Sequence, residues 1–413
     1  MNRMDYEVIV FSDDWFGLPF SCKHLMLQFL PDVRLVWVQT IGLRSPAWSL
    51  YDLRRVAGKL TQWAAPEKIA KSKIPENVVI VDPIQIPYNH IGVVRAVNRR
   101  IMIQALRARA PLSPKRQRVF LTNWPFLADL LGHLGETLSI YYRVDDYSEM
   151  PGVKRDFVAR AERELIRKVD LVVATSERLM VRGDSAEKAR YLPHGVDISH
   201  FSGVVPIENG DGVWSEIPHP RIGFFGLINS WVDLDLIARL ADKHPEWHFA
   251  LIGPSQLPAG AHPRRPNIHY LGPRSYDELP RHAAEFDVAL IPFKMNALTQ
   301  AVNPLKLLEY FSLGLPVVST PLPEVLKFAE HLFLADNEDG FEKAIASALG
   351  DRGRERRAIR QSIAEGNSWQ KRASDLRQWI EAALADKMAR GGKNDCRRSI
   401  SPAVESLRGA GRQ

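Results

Sequence analysis

The sequence predicts an α/β protein built from two doubly wound, Rossmann-like domains that face each other across a cleft. Short apolar runs typical of buried strands alternate with helical stretches, and this pattern occurs twice along the chain. An irregular segment rich in Gly, Pro and Asp separates the two occurrences. A chain of 413 residues, 45% of them hydrophobic, is long enough to form two domains with separate cores.

The first domain is predicted over residues 1–197, and the linker over residues 198–220. Six short apolar runs in this domain read as buried strands of a parallel sheet, with helices between most of them. They cover residues 8–11, 33–38, 78–81, 119–122, 139–143 and 171–175.

The second domain is predicted over residues 221–386 and ends in an amphipathic helix that carries Leu376, Ile380 and Leu384. From about Lys387 the chain is rich in Gly, Arg and Ser, so we expect a disordered basic tail over 387–413. The predicted strands of the second domain cover residues 222–225, 248–252, 268–271, 288–291, 317–319 and 332–334.

Composition excludes several classes of protein. No run of about 20 apolar residues is present to span a bilayer, and the first strand begins too early for a secretory signal, so we expect a cytoplasmic location. Only Cys22 and Cys396 occur, which excludes a disulfide framework and a Cys-rich metal site. The net charge of +7 indicates an anionic partner.

The most informative stretch runs from residue 301 to 320 and predicts a helix at the carboxyl edge of the second sheet. Asn303 suits the N-cap, Pro304 suits the first helical position, and Gly314 ends the helix. Lys306 adds positive charge to a helix N-terminus, where a diphosphate would bind. Glu309 lies on the same helix face and could accept hydrogen bonds from ribose hydroxyls. The alternative is an ordinary surface pair between these two side chains.

With this helix the sequence resembles the GT-B glycosyltransferases. The resemblance rests on the Glu-x-x-x-x-Gly-x-Pro-Val-Val pattern of 309–318, on Leu-Pro-His-Gly-Val-Asp at 192–197, on Ile-Gly-Phe-Phe-Gly at 222–226, and on 286–293. It implies a nucleotide-sugar site in the second domain. The predicted donor-binding residues are Lys306, Glu309, Asn303, Leu305, Gly226, Ile228, Arg274, Pro273 and Phe293.

The sequence departs from the large retaining family of this type at two places. Ala301 stands where that family has a second glutamate, and the first glycine loop carries Asn229 and Trp231 in place of a basic pair. A closer resemblance is to bacterial exopolysaccharide glucuronosyltransferases of the xanthan type. It implies that Tyr-Arg-x-x-Asp at 142–146 supplies the catalytic base and that Lys-Leu-Leu at 306–308 holds the diphosphate.

A carboxylate at a strand end can accept the proton of an attacking hydroxyl group. Asp146 is the first candidate for this base and Asp145 the second. Arg143 could pair with either carboxylate or contact the donor phosphates. Paired aspartates at a strand end also often cap helices, which is the structural alternative.

The loop after the first strand, residues 12–19, is predicted to bind the acceptor. Trp15 could stack on a sugar ring, and Asp13 or Asp14 could bind acceptor hydroxyls, with Gly17 in the same loop. His194, beside a glycine, could line the cleft. The alternative is a Gly/Pro turn with two solvated acids.

Residues 91–118 carry eight Lys and Arg residues and no acidic residue. In its first part, apolar residues interleave with arginines, as in a basic amphipathic helix on an anionic membrane surface. This favours a glycan or polyprenol-linked acceptor held at the inner face of the cell membrane. The alternative is a domain-packing helix with a solvated basic face.

Together these features predict a glycosyltransferase that uses a nucleotide diphosphate sugar, with UDP as the expected nucleotide, in bacterial polysaccharide or glycolipid synthesis. We expect no cofactor and no bound metal, because no metal-binding motif is visible. A catalytically silent sugar-nucleotide-binding protein of the same fold is the first alternative. A nucleic-acid-binding protein is the second; the charge permits it, but no recognition helix or aromatic and basic interleaving is present.

Overall fold

The computed structural model describes residues 6–17, 20–42, 74–204, 212–258 and 260–399, with only the backbone for residues 391–399. These residues form two parallel β-sheets, one of seven strands and one of six. The predicted fold class, two Rossmann-like α/β domains, is confirmed.

The N-terminal sheet has the strand order β3-β2-β1-β4-β5-β6-β7, and neighbouring strands are parallel throughout. Strand β1 is buried along its whole length, which explains why the sequence shows a continuous apolar run there and no alternation. The strands are β1 (Tyr6–Ser12), β2 (Arg34–Gln39), β3 (Val78–Val81), β4 (Gln117–Thr122), β5 (Leu138–Arg143), β6 (Leu171–Ala174) and β7 (Ala189–Tyr191).

The C-terminal sheet has the order β10-β9-β8-β11-β12-β13 and is again parallel. The order β10-β9-β8-β11 repeats the pattern of β3-β2-β1-β4 in the N-terminal sheet. Each sheet therefore reverses its winding direction once, between β1 and β4 in the first sheet and between β8 and β11 in the second. Its strands are β8 (Arg221–Phe225), β9 (His248–Ile252), β10 (Ile268–Gly272), β11 (Val288–Ile291), β12 (Val317–Ser319) and β13 (Phe333–Leu334).

Helices connect most of the strands of both sheets. In the N-terminal half they are α1 (Ser21–Leu27), α2 (Gly92–Arg109) and α3 (Arg155–Lys168), followed by the short α4 (Ile198–Phe201) in the connection between the sheets. In the C-terminal half they are α5 (Leu234–Lys243), α6 (Leu279–Ala283), α7 (Ala297–Ala301), α8 (Leu305–Ser312), α9 (Glu338–Gly350), α10 (Arg354–Glu365) and α11 (Trp369–Ser399).

Helix α11 returns from the C-terminal half and packs into the core of the N-terminal domain. Its buried residues Trp369, Leu376 and Ile380 join the same apolar cluster as β1 and α1. Arg377 donates to the Gln28 carbonyl (2.6 Å) and pairs with Asp32 (3.1 Å). The sequence-based assignment of this helix to the second domain is therefore corrected, because amphipathicity predicts a buried face but not the partner of that face.

The twelve predicted strands are all present to within about two residues of the predicted ends, the usual uncertainty of such boundaries. The sequence analysis missed β7, which has three residues with Arg190 at its centre. The tail differs from the prediction, since α11 continues to Ser399. Residues 400–413 and linker residues 205–211 lie outside the described residues.

The carboxyl ends of strands from both sheets meet at the junction between the domains. Asp13 follows β1 and Asn123 follows β4, the pair at which the N-terminal sheet reverses direction. Gly226 follows β8 and Phe293 follows β11, the equivalent pair of the C-terminal sheet. Such switch points are where open α/β sheets bind ligands.

Candidate functional site

Lys306 lies in the first turn of α8 and reaches across the end of β8. A Cβ atom at Gly226 would lie only 2.1 Å from Lys306 Cε, and Gly226 has a φ of 135°. No residue other than glycine fits this position, because both the space and the backbone conformation exclude a side chain. The glycine loop after β8 thus makes room for the lysine.

The Lys306 ammonium group is held in a half-buried, partly aromatic setting. Its Nζ lies 5.6 Å from the ring centre of Phe224 and 5.9 Å from that of Phe293. Burial lowers the pKa of Lys306, and the carboxyl groups of Glu309 and Asp145 act in the opposite direction. An additional negative charge beside Nζ would stabilise the charged form.

Glu309 lies three residues further along α8, and its carboxyl group lies near Lys306, as the sequence predicts. Burial raises the pKa of Glu309 to about 7, while Lys306 acts to lower it. The phenol of Tyr276 is close enough for the Glu309 charge to contribute to the raised pKa of Tyr276. Glu309 therefore lies near both the lysine and an aromatic residue from the loop after β10.

Asp145 belongs to the N-terminal domain, in the loop after β5. Burial raises the pKa of Asp145 to about 7, and the carboxyl groups of Asp146 and Asp13 add to this effect. Lys306 of the other domain lowers the same pKa. A carboxyl group with a pKa near neutrality is suited to accept or donate a proton.

Lys306, Glu309 and Asp145 share one further property. Among the residues that the structure describes, none of the three side chains makes a hydrogen bond or an ion pair. A half-buried charge without a direct partner is unfavourable unless something else compensates it. A cation and two carboxylates at the carboxyl edges of two sheets are therefore available to a ligand that carries both anionic groups and hydroxyl groups.

Asp146, the first sequence-based candidate for the base, has a structural role in the loop. Its Oδ1 accepts hydrogen bonds from the Ser148 amide (3.2 Å) and the Ser148 hydroxyl (2.6 Å). It is the N-cap of a 3₁₀ turn at Tyr147–Glu149. The geometry therefore favours Asp145 over Asp146 as the group free to accept a proton.

Arg143 forms no hydrogen bond with either aspartate among the described residues. Its guanidinium forms two hydrogen bonds with Glu162 of α3, at 2.9 and 2.7 Å, and a third with the Leu179 carbonyl. The prediction that it pairs with Asp145 or Asp146 is therefore corrected, whereas contact with donor phosphates stays a prediction. Alternate residues of a strand face opposite sides of the sheet, and Arg143 lies on the side covered by α3.

The start of α8 also differs from the prediction. Pro304, not Asn303, is the N-cap, and it makes no side-chain capping bond. The Asn303 amide instead donates to the carbonyl of Thr175 in the other domain (2.9 Å). Leu305 packs against the apolar core of the N-terminal domain. Both side chains therefore connect the domains beside Lys306.

The loop after β1 brings only one of its acids to the cleft. Asp13 accepts a weak hydrogen bond from the Asn123 amide (3.3 Å), and burial raises its pKa to about 6. Asp14 is exposed and closes a turn, in which Gly17 donates its amide proton to the Asp14 carbonyl.

Trp15 does not offer its ring to a sugar. Only 4% of its surface is exposed, and it packs edge-on against Trp37 at 5.2 Å. The Trp15 amide donates to the Gln39 side chain, and the Lys23 ammonium group donates to the Trp15 carbonyl. The predicted stacking on an acceptor is corrected because tertiary packing buries the ring.

His194 lies under α11 and does not line the cleft. Its ring packs edge-on against Trp369, and its carbonyl accepts a hydrogen bond from Arg372. Burial, together with the Arg372 charge, lowers the pKa of His194 to about 3. The neighbouring glycine is explained by the same contact, since a Cβ at Gly195 would lie 2.7 Å from the Trp369 amide nitrogen.

Three other predicted donor residues contribute little through their side chains. Ile228 is 2% exposed and uses its backbone to hydrogen bond with Pro254 and Gln256. Pro273 is exposed, and Arg274 donates to the adjacent Pro273 carbonyl (3.2 Å).

The sequence analysis missed a polar and aromatic group at the carboxyl end of β4. Asn123 and Trp124 follow β4, and the Trp124 ring stacks on Tyr147 at 5.3 Å. Among the described residues, Asn123 Oδ1 and Trp124 Nε1 are buried without a hydrogen-bond partner. The sequence did offer one signal for this group, namely Asn123 and Trp124 directly after a predicted strand.

No group of three or more His, Cys, Asp or Glu side chains able to hold a metal ion is found within the described part of the chain. Within the same part, no helix is both long enough and apolar enough to cross a bilayer.

Comparison with known proteins is consistent with this arrangement. Residues 219–351 match the family described as Glycosyl transferases group 1. Over 234 residues the chain is 28% identical to TuaH of Bacillus subtilis (strain 168), a protein named for a glycosyltransferase role in teichuronic acid biosynthesis. That alignment covers 52% of this chain and 58% of TuaH, so the chain spans little more than half the length of this relative.

Solved structures share the fold over nearly the whole chain. Anabaena HepE in complex with UDP-glucose superposes with a TM-score of 0.61 at 14% identity, covering 91% of this chain and 100% of HepE. Sucrose-phosphate synthase from Thermosynechococcus elongatus gives 0.64 at 13% identity, covering 92% and 100%. An E. coli trehalose-6-phosphate protein bound to UDP-2-fluoro glucose gives 0.63 at 12% identity, covering 92% and 99%. The architecture is GT-B.

Replacing Asp145 with Asn tests the burial of this carboxyl group. The pKa of Asp145 is about 7 in the folded chain against an ordinary value of 3.8, so the folded state retains a proton that the unfolded state loses between these values. Stability therefore falls as pH rises through this window, and Asn avoids the loss. We expect Asp145→Asn to raise the free energy of unfolding by about 1 to 3 kcal/mol at pH 8 but by less than about 0.5 kcal/mol at pH 4, measured by urea denaturation.

Asp146→Asn is the matched control. Asn retains an oxygen that can accept the Ser148 amide proton, and it removes only the smaller Asp146 contribution to the raised pKa of Asp145, so the gain at pH 8 should be clearly smaller. An Asp145→Asn variant with the same difference from the wild type at both pH values would contradict the assignment.

Proposed function

We propose that this chain is a glycosyltransferase that transfers a sugar from a UDP-sugar to a glycan or lipid-linked acceptor in polysaccharide or glycolipid synthesis. The observation that carries the proposal is the meeting of Lys306, Glu309 and Asp145 at the domain junction, half-buried and without a hydrogen bond or ion pair among the described residues. The match of residues 219–351 to Glycosyl transferases group 1 supports it.

The donor binds at the N-terminus of α8. Free backbone amides at this end and the Lys306 ammonium group attract a diphosphate. Glu309, one turn further along, accepts hydrogen bonds from the ribose hydroxyls, which favours its ionised form in the complex. We propose UDP as the nucleotide, supported by the UDP-sugars in the HepE and E. coli complexes.

In the transfer step, the acceptor oxygen attacks the anomeric carbon of the donor and forms the new glycosidic bond. The bond between that carbon and the diphosphate oxygen breaks, and UDP leaves with the electron pair. Lys306 stabilises the negative charge that develops on the leaving diphosphate. The acceptor proton passes to Asp145, whose pKa of about 7 suits a general base near neutral pH.

We expect this reaction to proceed without a bound metal. The helix N-terminus and Lys306 supply the positive charge that a metal provides in other phosphate-transferring sites. Activity that is unchanged after addition of EDTA would agree with this expectation.

We propose that the acceptor binds beside Asp145. A group of polar and aromatic side chains there supports this site, formed by Asp13, Asn123, Trp124 and Tyr147. Asn123 connects Asp13 to the Tyr147 hydroxyl with two hydrogen bonds of 3.3 Å. Carboxylate, amide and indole groups at the base of a cleft suit the hydroxyls of a sugar. The name of TuaH supports a polysaccharide product.

We propose further that the exposed face of α2 contacts an anionic membrane. Arg95 and Arg118 are not available, because Arg95 pairs with Asp129 (2.7 Å) and Arg118 bonds to the Leu134 and Ser113 carbonyls. The remaining exposed face is apolar at its start and basic towards its end. Exposed apolar residues of this surface are Ile84, Ile86, Ile91, Val93 and Val97, and exposed basic residues are Arg100, Arg107, Arg109 and Lys115.

Neutralising two arginines tests the membrane contact. Each basic residue near an anionic surface contributes about 1 kcal/mol, so Arg100→Gln with Arg107→Gln should weaken binding at least about tenfold. The measurement is co-sedimentation with vesicles of equal parts phosphatidylglycerol and phosphatidylcholine. Arg239→Gln with Arg264→Gln in the other domain is the control, and equal binding of both double variants would argue against this surface.

Two substitutions test the transfer reaction itself. Lys306→Met should raise the dissociation constant of UDP about 10- to 100-fold, because a charge-assisted contact with the diphosphate is lost. Asp145→Asn should keep UDP binding but reduce UDP release from UDP-glucose or UDP-glucuronic acid by at least about a hundredfold. Binding is measured by calorimetry, and UDP release with glucose as the supplied acceptor.

Lys294→Met is the control for the first variant, since Lys294 is exposed on the same domain and pairs with Asp235. Its UDP affinity should match the wild type. A wild-type protein that binds UDP but forms no UDP from these sugar nucleotides would instead be a silent sugar-nucleotide-binding protein.

A further inference from the structure

Thr175 connects the Asp145 loop to the neighbouring strand. Its hydroxyl donates to the carbonyl of Val144 (2.9 Å), the residue directly before Asp145. Its amide donates to the Arg143 carbonyl (3.1 Å), which continues the pairing of β5 and β6 past their ends. Thr175 is fully buried, so solvent does not compete for these bonds. The backbone that carries Asp145 is thereby held by the hydroxyl and the amide of one residue.

The same threonine also bonds to the C-terminal domain. Its carbonyl accepts the hydrogen bond from the Asn303 amide (2.9 Å). Asn303 stands two residues before α8, and Lys306 is the second residue of that helix. Pro304 lies between them, and its ring fixes the backbone φ angle at this position. Fewer orientations of α8 relative to Asn303 are therefore possible. A continuous path therefore runs from Asp145 through Thr175 and Asn303 to Lys306.

Neighbouring contacts hold the two domains together on the same side. The buried Ser176 hydroxyl donates to the Ala301 carbonyl (2.6 Å). Glu324, only 3% exposed, accepts hydrogen bonds from the Glu177 amide (2.8 Å) and the Tyr191 hydroxyl (2.6 Å), both from the N-terminal domain. Three consecutive residues after β6 thus contact the C-terminal domain.

We propose that Thr175 and Asn303 are positioning residues that set the location of Asp145 relative to Lys306. The inference rests on the proposed transfer from a UDP-sugar, and it assigns neither residue a contact with substrate. Asp145 and the leaving diphosphate belong to different domains, so the geometry of the reaction depends on the contact between those domains. A misplacement of about 1 Å can lower a rate by about a hundredfold.

A purely structural contact would give a different result from a positioning contact. Loss of structural support lowers stability and leaves the rate per folded molecule unchanged. Loss of positioning lowers kcat while the donor, which binds the C-terminal domain alone, retains its affinity. The separation of these two effects makes the inference testable.

The experiment compares Thr175→Val, Thr175→Ser and Asn303→Ala with the wild type. Val keeps the shape of Thr but removes the hydroxyl, whereas Ser keeps the hydroxyl. We expect kcat for UDP release from UDP-glucose or UDP-glucuronic acid to fall about 10- to 100-fold in Thr175→Val and Asn303→Ala, and to recover to within about threefold of the wild type in Thr175→Ser. The UDP dissociation constant should stay within about twofold in all three.

Asn267→Ala is the matched control. The Asn267 amide donates to the carbonyls of Ala241, His244 and Trp247, all within the C-terminal domain and at the opposite edge of its sheet. This variant should lose stability yet keep kcat when assayed below its unfolding temperature.

Wild-type kcat in both Thr175→Val and Asn303→Ala would overturn the positioning role while leaving the proposed function intact. If kcat is as low in Thr175→Ser as in Thr175→Val, the role of the hydroxyl would also be overturned. Absence of UDP release from the wild type would instead remove the proposed function, and the inference with it.

Discussion

The half-buried ammonium group of Lys306 is the feature on which the site depends. Its side chain occupies the space above Gly226, and its ammonium group lies 5.6 Å and 5.9 Å from the ring centres of Phe224 and Phe293, so a glycine loop and an aromatic setting surround one charge. Two carboxyl groups, one from each domain, lie near enough to shift its pKa, yet neither forms an ion pair with it. A charge placed in this way is suited to a ligand that supplies the missing anion.

The two sheets deliver these groups because each reverses its winding direction at the domain junction. The reversal at β1 and β4 brings Asp13 and Asn123 together, and the reversal at β8 and β11 leaves room for α8. Helix α11 then joins the domains a second time, through its burial in the N-terminal core. Chemistry between groups from different domains needs such connections, since an error in domain placement is an error in the distance between reacting atoms.

The sequence predicted those parts that depend on local pattern. Continuous apolar runs indicated the strands, and the lysine and glutamate one turn apart indicated a charged pair beside the glycine loop. Residues whose role depends on distant partners were mispredicted: Trp15 is buried by Trp37, and Arg143 is neutralised by Glu162. Asn303 suits an N-cap by composition, but a carbonyl 128 positions away takes its amide instead. Local pattern does not specify which of several possible partners a side chain meets.

The structure of the protein with UDP bound tests the central claim most directly. The account predicts a phosphate oxygen within hydrogen-bond distance, about 2.7–3.2 Å, of Lys306 Nζ, with the ribose hydroxyls on the Glu309 carboxylate. It also predicts that Asp145 faces the side of the diphosphate from which the sugar extends. UDP bound elsewhere, for example in the cavity lined by Arg143, Arg178 and Arg182, would contradict the assignment of the donor site.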